Sequence, residues 1–388
     1  MPTSGIKQKF WVKEEVTYDT QQAITATDAV DLVSLEFTPD KAYTEISSHV
    51  GTGSYQGEIE GATGGKWTAV CDIMPAAVGV APDIGPALKA AFGDETIVGG
   101  TSVTYDFNDS DTVNSLQLVK HAGDEFYEVV DGAWVEQLAI DAAQNQVPRL
   151  TFTGGFAGYG NLRGAPFTTG SNAAGASTIN MVTNDGYKLA NIGAGAYVKF
   201  ASEDNGGAGY KVTSVTASTI VITPVLANTV GSTTQVTPYV PSQTLAGTRL
   251  SAGIEHALTI DSTSIGMIGC KYTISTGIKP ADKQSTSSRP TRIFRTGGRV
   301  VDIDIDTYFL NEIGIYLGAA HASTQVLRDV AVRLGPATAA ARATLNSDKT
   351  LFKVQPITLQ DTEIALAKLI GRARQNSAAN DEFSLVLD

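Results

Sequence analysis

Short runs in which apolar and polar residues alternate recur along this chain and restrict its fold more than any other feature. The run DLVSLEFT at 31–38 has this pattern, and so does RVVDIDID at 299–306. A period of two places the two kinds of residue on opposite faces of a half-buried β-strand. Most runs are short and bounded by glycine, which accounts for 39 of the 388 residues. The pattern therefore predicts a mainly β protein with tight turns.

Other local signals predict how these strands are connected. Residues 81–93 predict one short flanking helix, with Pro82 near its start and Gly93 just past its end. Asp131-Gly132 is a strong hairpin signal and predicts a turn between strands at 125–130 and 133–138. Residues 307–319 predict a second short helix. The spacing in 363–374 suits a helix, but the strand pattern behind it favours a strand.

A change in composition indicates an inserted domain. Residues 165–245 contain no arginine and are dominated by Gly, Ala, Thr, Ser, Asn and Val. Short strand patterns follow one another closely within this stretch, as in a small β-barrel or sandwich. We therefore expect a discontinuous β-sandwich domain over 1–164 and 246–388. Residues 165–245 are expected to form a separately folded β-domain inserted on its outer surface.

Residues 39–65 carry six glycines and little periodicity, which predicts a long loop. Connections of this length are rare in compact domains and usually have a function. The net charge of −12 argues against a basic nucleic-acid clamp, because phosphate binding needs clustered cations. Cys71 and Cys270 are expected to be buried free thiols. No signal peptide or membrane span is evident, so we expect a soluble protein made in a cytoplasm.

The usual catalytic and ligand-binding motifs do not fit. The stretch at 61–66 resembles a phosphate loop, but Glu60 and Trp67 stand where that loop needs glycine and a hydroxyl residue. The acidic run at 302–306 lacks the glycine and glutamate of a calcium loop. The four histidines have no metal-ligand spacing. We therefore expect no catalytic site, no metal and no cofactor, and interpret 299–306 as a strand with an acidic face.

The order of the elements resembles one branch of the phage tail tube proteins. The matching pieces are an initial strand with an acidic segment (FWVKEEVTY at 10–18), the alternating strand at 31–38, and the glycine-rich stretch ending in YQGEI at 55–59. They continue with the proline-led helix PALKAAFG at 86–93 and the closing strand DEFSL at 381–385. The insert, with GYKVTSV at 209–215, is similar to small β-barrel modules embedded in tail proteins.

This resemblance implies a structural virion protein that assembles into stacked hexameric rings, the conduit for phage DNA. Its implied partners are copies of itself and the tape-measure, tail-terminator and distal tail proteins. DNA would pass without specific binding, and no membrane is involved. The loop at 39–65 would contact the next ring; its candidate contact residues are Tyr43, Ile46, His49, Tyr55 and Glu58. Candidate lumen-facing residues are Ser34, Glu36, Thr38, Asp302 and Asp304.

Two other classes of protein stay open at this point. A carbohydrate-binding or adhesion β-protein of a virion or cell surface would need exposed aromatic platforms, and the chain has only Trp11, Trp67 and Trp134. A β-structured hydrolase would need paired carboxylates, which any chain with 40 acidic residues contains by chance. The tail-tube interpretation remains the main hypothesis.

Overall fold

The computed structural model shows a mainly β protein, as the alternating pattern predicts. It describes residues 8–45, 58–108, 113–122, 126–163, 166–190, 195–251, 255–281, 288–308, 314, 316, 326–337, 341–353, 366–375 and 382–388. Across these ranges no helix has the length and apolar character needed to cross a membrane. Both Cys71 and Cys270 are buried and free, which confirms the prediction for the two thiols.

The elements are numbered in chain order. The strands are β1 Gln8–Glu14, β2 Ala29–Val30, β3 Ser34–Glu45, β4 Glu58–Asp72, β5 Gly93–Val98, β6 Ser102–Phe107, β7 Leu116–Ala122, β8 Phe126–Ala143, β9 Arg149–Phe156, β10 Gly158–Arg163, β11 Thr178–Asn180, β12 Tyr197–Phe200, β13 Tyr210–Val215, β14 Thr219–Thr223, β15 Val236–Pro238, β16 Ala257–Ile260, β17 Thr263–Ile265, β18 Met267–Ser275, β19 Ile278–Ala281, β20 Arg292–Arg295, β21 Val300–Tyr308, β22 Leu327–Leu334, β23 Ala343–Phe352, β24 Leu366–Ala373 and β25 Ser384–Leu387. The helices are α1 Gly85–Phe92 and α2 Asp185–Ala190.

Two antiparallel sheets form a β-sandwich. The first has the order β3-β4-β9-β8-β18-β21-β24. The second has the order β17-β16-β22-β23-β25-β6-β5, and the end of β23 also pairs with β24 and joins the two sheets at a corner. One hydrophobic cluster takes side chains from both sheets and from α1, so the main core lies between the sheets.

The short helix confirms the prediction for residues 81–93 in type and place. It spans Gly85–Phe92, and Gly93 follows it with a left-handed φ of 104° and donates its N–H to the carbonyl of Lys89. Phe92 stacks on Phe107 and Phe383, with ring centroids 5.3 and 5.9 Å apart. The strand favoured for 363–374 is also confirmed as β24. Most of the predicted helix at 307–319 lies outside the described residues.

The hairpin predicted at Asp131-Gly132 is wrong, because a single long strand, β8, runs through it. On β7, Leu116 pairs with Ala133 and Leu118 pairs with Val130. Asp131 and Gly132 together therefore oppose Gln117, which makes them a β-bulge. Gly132 has a φ of 60°. A tight hairpin turn and this bulge both need a residue in this left-handed conformation, which glycine adopts readily. Before the bulge β8 pairs with β7 and β10, and after it with β9 and β18.

The long loop predicted at 39–65 is largely wrong as well. Strands β3 and β4 extend into it and pair from Ser34 with Val70 as far as Glu45 with Glu58. Within the stretch 39–65, only residues 46–57 lie outside the described residues. The glycines suggested a loop, but at Gly65 the packing requires one. A Cβ there would lie 2.3 Å from the ring of Phe156 and 2.5 Å from the carbonyl oxygen of Thr38.

The predicted insert contains its own five-stranded sheet, β11-β14-β13-β12-β15. Its apolar side chains join one hydrophobic cluster with residues of β1, β7, β8 and β10. Backbone hydrogen bonds hold the chain that returns from the insert. The N–H of Thr244 donates to the carbonyl of Ala26 at 2.9 Å, and the N–H of Thr248 donates to the carbonyl of Pro75 at 3.0 Å. The insert thus covers an apolar face of the parent domain, whereas its boundaries at 165 and 245 stay a prediction.

The packing at Gly65 leads to a stability prediction. Gly65→Ala should lower the free energy of unfolding by about 1–3 kcal/mol, because the new methyl group overlaps Phe156 and a backbone carbonyl. Gly99→Ala is the matched control, since nothing lies within 4 Å of a Cβ there. Urea denaturation of both variants measures the difference. Equal stability of the two variants would contradict the packing described here.

The shared cluster leads to a second prediction, about solubility. Replacing residues 166–244 with a short Gly/Ser linker should expose the apolar side chains that the insert covers and cause aggregation. The exposed side chains would include those of Trp11, Val119, Tyr127, Val129 and Leu162.

A second variant separates exposure from misfolding. Adding Val119→Thr and Val129→Thr, a cross-strand pair on β7 and β8, should restore part of the soluble yield measured after centrifugation. A linker variant as soluble as the native chain would show that the insert is dispensable for covering this face.

Candidate functional site: a polar sheet face and a two-stranded ribbon

The two predicted sets of lumen-facing residues lie on one face of the first sheet. Following the register outward from β3, Ser34 pairs with Val70, Val70 with Thr151, and Thr151 with Ala139. Ala139 then pairs with Thr273, and Thr273 with Asp302. Directly paired residues share a face, so Ser34 and Asp302 point to the same side from strands that are five positions apart. The sequence does not show that these two strands belong to one sheet.

We call this surface the polar face and define it by the side chains that β3, β4, β9, β8, β18, β21 and β24 turn away from the core. They are exposed or half-buried and are mostly hydroxyl and charged groups. Its polar and charged members are Ser34, Glu36, Thr38, Lys66, Thr68, Asp72, Arg149, Thr151, Thr153, Gln137, Asp141, Lys271, Thr273, Ser275, Asp302, Asp304, Asp306, Lys368 and Arg372.

The acidic face expected at β21 is confirmed, because Asp302, Asp304 and Asp306 lie opposite the buried Val301, Ile303 and Ile305. Across the neighbouring strands, however, the charges of the polar face alternate in sign. One row of directly paired residues reads Asp72, Arg149, Asp141, Lys271, Asp304 across five strands. Opposite charges in cross-strand pairs stabilise a sheet, whereas like charges destabilise it. In total the face has six carboxylates and five cationic side chains, so it is close to neutral.

Ion pairs hold the acidic residues of β21. Lys368 Nζ lies 2.8 Å from Asp304 Oδ2, and Arg372 Nε lies 2.8 Å from Asp302 Oδ1. These hydrogen bonds raise the pKa of both cationic groups. Arg149 Nε lies 3.2 Å from Asp72 Oδ1 at the other end of the row. Three of the five cations on the face are therefore engaged by neighbouring carboxylates.

The sheets end in strands with one unpaired side. Among the described residues, β3 pairs only with β4, β5 only with β6, and β17 only with β16. Unpaired backbone N–H and C=O groups along such a strand form a template for another strand. The arrangement can therefore extend its sheets by pairing with a further chain.

The outer parts of β3 and β4 form a two-stranded ribbon, residues 39–45 and 58–64, that extends beyond the end of β9. Tyr43 and Glu58, two of the predicted contact residues, lie on its opposite strands. The other three, Ile46, His49 and Tyr55, lie outside the described residues. Thr63 N–H donates to the carbonyl of Ser288 at 2.6 Å and ties the ribbon to the segment before β20. A two-stranded ribbon is marginally stable alone, so this one suits a contact with a partner surface.

A cluster of buried carboxylates was missed by the sequence reasoning. We call Glu15, Asp19 and Asp131 the acidic cluster. Glu15 accepts hydrogen bonds from Ser115 Oγ at 2.6 Å and from the backbone N–H of Gly132 at 2.8 Å, in the bulge of β8. The sequence assigned Asp131 to a turn and Glu15 to a polar segment. No local pattern links positions so far apart in the chain.

Two histidines, His121 and His256, lie in the described part of the chain. No group of three or more His, Cys, Asp or Glu side chains there is placed to hold a metal ion. His121 packs edge-on against Trp11 and Tyr127, with ring centroids 6.4 Å apart in both pairs. Burial lowers the pKa of His256, whose Nε2 lies 3.2 Å from the carbonyl oxygen of Ser251. Both histidines are therefore held within the fold, His121 by aromatic packing and His256 by a hydrogen bond.

Comparison with known proteins gives no family assignment: no protein-family model and no curated protein matches this chain. Its function has to be inferred from its own geometry.

Proposed function

We propose that this chain is a non-enzymatic structural subunit that assembles into stacked hexameric rings, the tail tube of a long-tailed bacteriophage. The observation that carries the proposal is the polar face. Two sets of residues that were assigned separately to the lumen share one face of a seven-stranded sheet. Hexameric symmetry, DNA passage and the tape-measure, tail-terminator and distal tail partners come from the family resemblance.

The chemistry of the polar face suits the wall of a DNA conduit. Each lysine or arginine that binds a phosphate adds salt-dependent affinity and would slow the passage of DNA. Here Arg149, Lys368 and Arg372 are paired with carboxylates of the same face. A nearly neutral wall of hydroxyl groups and paired charges offers phosphates few unneutralised cations.

The open sheet edges and the ribbon suit two kinds of subunit contact. Pairing an edge of one subunit with an edge of the next removes exposed strands, and closure into a ring leaves none. Contacts of this head-to-tail type close into rings or propagate as filaments. The ribbon, which extends beyond the sheet, is the element that we assign to stacking of one ring on the next.

The carbohydrate-binding alternative needs exposed aromatic platforms, and the three tryptophans do not supply them. Trp11, Trp67 and Trp134 are exposed by only 0%, 2% and 4%. Trp67 Nε1 donates hydrogen bonds to the carbonyl oxygens of Trp134 and Gly155, at 3.0 and 3.1 Å. Tryptophans held in this way cannot serve as sugar-stacking platforms.

Electron microscopy of the purified native chain tests the proposal directly. We expect rings or tubes with sixfold symmetry in negative stain, because the sheets have edges that can pair. The protein should be examined over a range of concentrations, since ring assembly depends on mass action. Discrete monomers at every concentration would reject the proposal.

The ribbon leads to a specific prediction about stacking. Replacing residues 44–59 with Asn-Gly should close the ribbon at the Tyr43–Glu60 pair with a two-residue hairpin turn. The shortened subunit should fold and form rings but fail to stack into tubes. Inserting Gly-Ser between Gly206 and Gly207, an exposed turn of the insert, is the control and should leave tubes intact. Long tubes from the shortened subunit would remove the ribbon from the stacking contact.

A second prediction concerns the wall charge. Glu36→Lys with Asp304→Lys should slow DNA ejection from particles that carry both changes, most strongly at low salt, because screening weakens as ionic strength falls. Rings should still form, since exposed ion pairs contribute only about 0–1 kcal/mol. Asp329→Lys with Asp348→Lys, at exposed positions of β22 and β23 in the second sheet, is the charge-matched control. Equal ejection rates for the double variant and the native particle would show that this face does not line the path.

A further inference from the structure

The acidic cluster joins three segments that are distant in the sequence. Glu15 directly follows β1, and its carboxylate accepts hydrogen bonds from Ser115 Oγ and from the backbone N–H of Gly132 in the bulge. It also accepts a hydrogen bond from the backbone N–H of Asp19 at 3.2 Å. Asp19 Oδ1 lies 3.3 Å from Arg289 Nη1, in the segment before β20. The segment 15–22 is thus fastened at one end to β8 and on its side to Arg289.

Asp131 is the buried member that faces a cleft. Its side chain is 6% exposed, and its Oδ2 accepts a hydrogen bond from Gln21 Nε2 at 3.0 Å. Its Oδ1 is buried and has no hydrogen-bond partner among the residues that the structure describes. The cleft beside it has a volume of about 330 Å³ and is lined by Asp19, Thr20, Gln21, Asp131, Tyr159, Gly160 and Arg289.

Within the part of the chain that the structure describes, the charges around the cluster do not balance if all three carboxylates are ionised. Among those residues, Arg289 is the cation that faces Asp19 and Asp131. The nearby Glu128 is already engaged, because it lies 3.6 Å from Lys120 Nζ and accepts a bond from Tyr159 Oη at 2.8 Å. Tyr18, which also faces the cluster, is neutral, and burial and the neighbouring carboxylates raise its pKa further. Buried carboxylates without a counter-charge take up protons instead.

Burial is the main cause of a raised pKa in both inner members. It raises the pKa of Glu15 to about 7 and that of Asp131 to about 7, against ordinary values of 4.5 and 3.8. Because the folded pKa exceeds the unfolded one, each group stabilises the closed cluster fully below its ordinary pKa. That stabilisation is lost as the pH rises from about 4 through 7.

We propose that Glu15 and Asp131 form a proton-operated latch, which holds the segment 15–22 on the bulge of β8 when protonated and loosens it when the protons leave. The ligand of this site is the proton. Ionisation places uncompensated charge beside the unpartnered oxygen of Asp131, and opening the cleft to water relieves it. The latch does not depend on tube assembly, because every group in it belongs to one chain.

Hydrogen exchange of the native chain tests the latch. The reporters are the backbone amides of Asp19 and Gly132, which bind Glu15, and of Gln22, which donates to Gln117 Oε1 at 2.7 Å. After correction for intrinsic exchange rates, their protection should fall about tenfold per pH unit for each ionising carboxyl between pH 5 and 7, and level off above 7. Protection that is constant over this range would overturn the proposal.

Conservative variants assign the effect to the two carboxyls. Glu15→Gln and Asp131→Asn should each reduce the slope by about one power of ten per pH unit, because each removes one titrating group. Asp348→Asn, which removes an exposed carboxylate from β23, should leave the slope unchanged. A slope as steep as that of the native chain in both cluster variants would overturn the proposal, and the native titration remains decisive if a variant does not fold.

Added calcium separates a proton site from a metal site. At pH 8, 5 mM calcium chloride should not restore the protection of the three amides, since no third acidic ligand converges with the pair in the described residues. Restoration by calcium to the level seen at pH 5 would identify the cleft as a cation site and refute the latch. Sodium chloride at matched ionic strength controls for screening.

Discussion

The rest of the structure depends on the bulge in β8, because this strand belongs to two sheets. Before the bulge β8 pairs with β7 and β10 beneath the insert, and after it with β9 and β18 in the sandwich. Gly132, with a φ of 60°, turns the strand between these two partnerships. A bulge increases the local twist, so one strand can supply side chains to both hydrophobic clusters. The acidic cluster is attached at the same point, since Glu15 accepts a hydrogen bond from the backbone N–H of Gly132.

Local sequence patterns predicted individual elements well and their connections poorly. The alternating runs at 31–38 and 299–306 became strands β3 and β21, and the Pro-led, Gly-ended segment became α1, because each pattern reports on its own backbone. The predictions at Gly132 and Gly65 were wrong for the same reason. At Gly132 it allows a left-handed bulge, and at Gly65 it leaves room for the Phe156 ring, yet in the sequence both resemble turn signals. Whether a glycine serves a turn or a tight contact is decided by residues far along the chain.

The candidate site shows the same division. Alternation alone identified which side of β3 and β21 is polar, but only the register through five successive strand pairings shows that the two sides are one surface. The ion pairs made by Lys368 and Arg372 were not foreseen, because the sequence does not say that β24 lies beside β21. Glu15 and Asp131 carried no signal at all, since their chemistry comes from burial, which is a property of the assembled fold.

The pairing of β8 with β18 has a consequence for synthesis. β8 ends at Ala143 and β18 begins at Met267, with the whole insert between them. At a translation rate of 5–20 residues per second, the ~120 intervening residues take roughly 6–25 s to emerge from the ribosome. During that time the first half of the sandwich has a core strand with an unpaired edge. The insert is complete before β18 appears. Its docking on β1, β7 and β10 can therefore bury their apolar side chains before the remaining strands of the sandwich are synthesised.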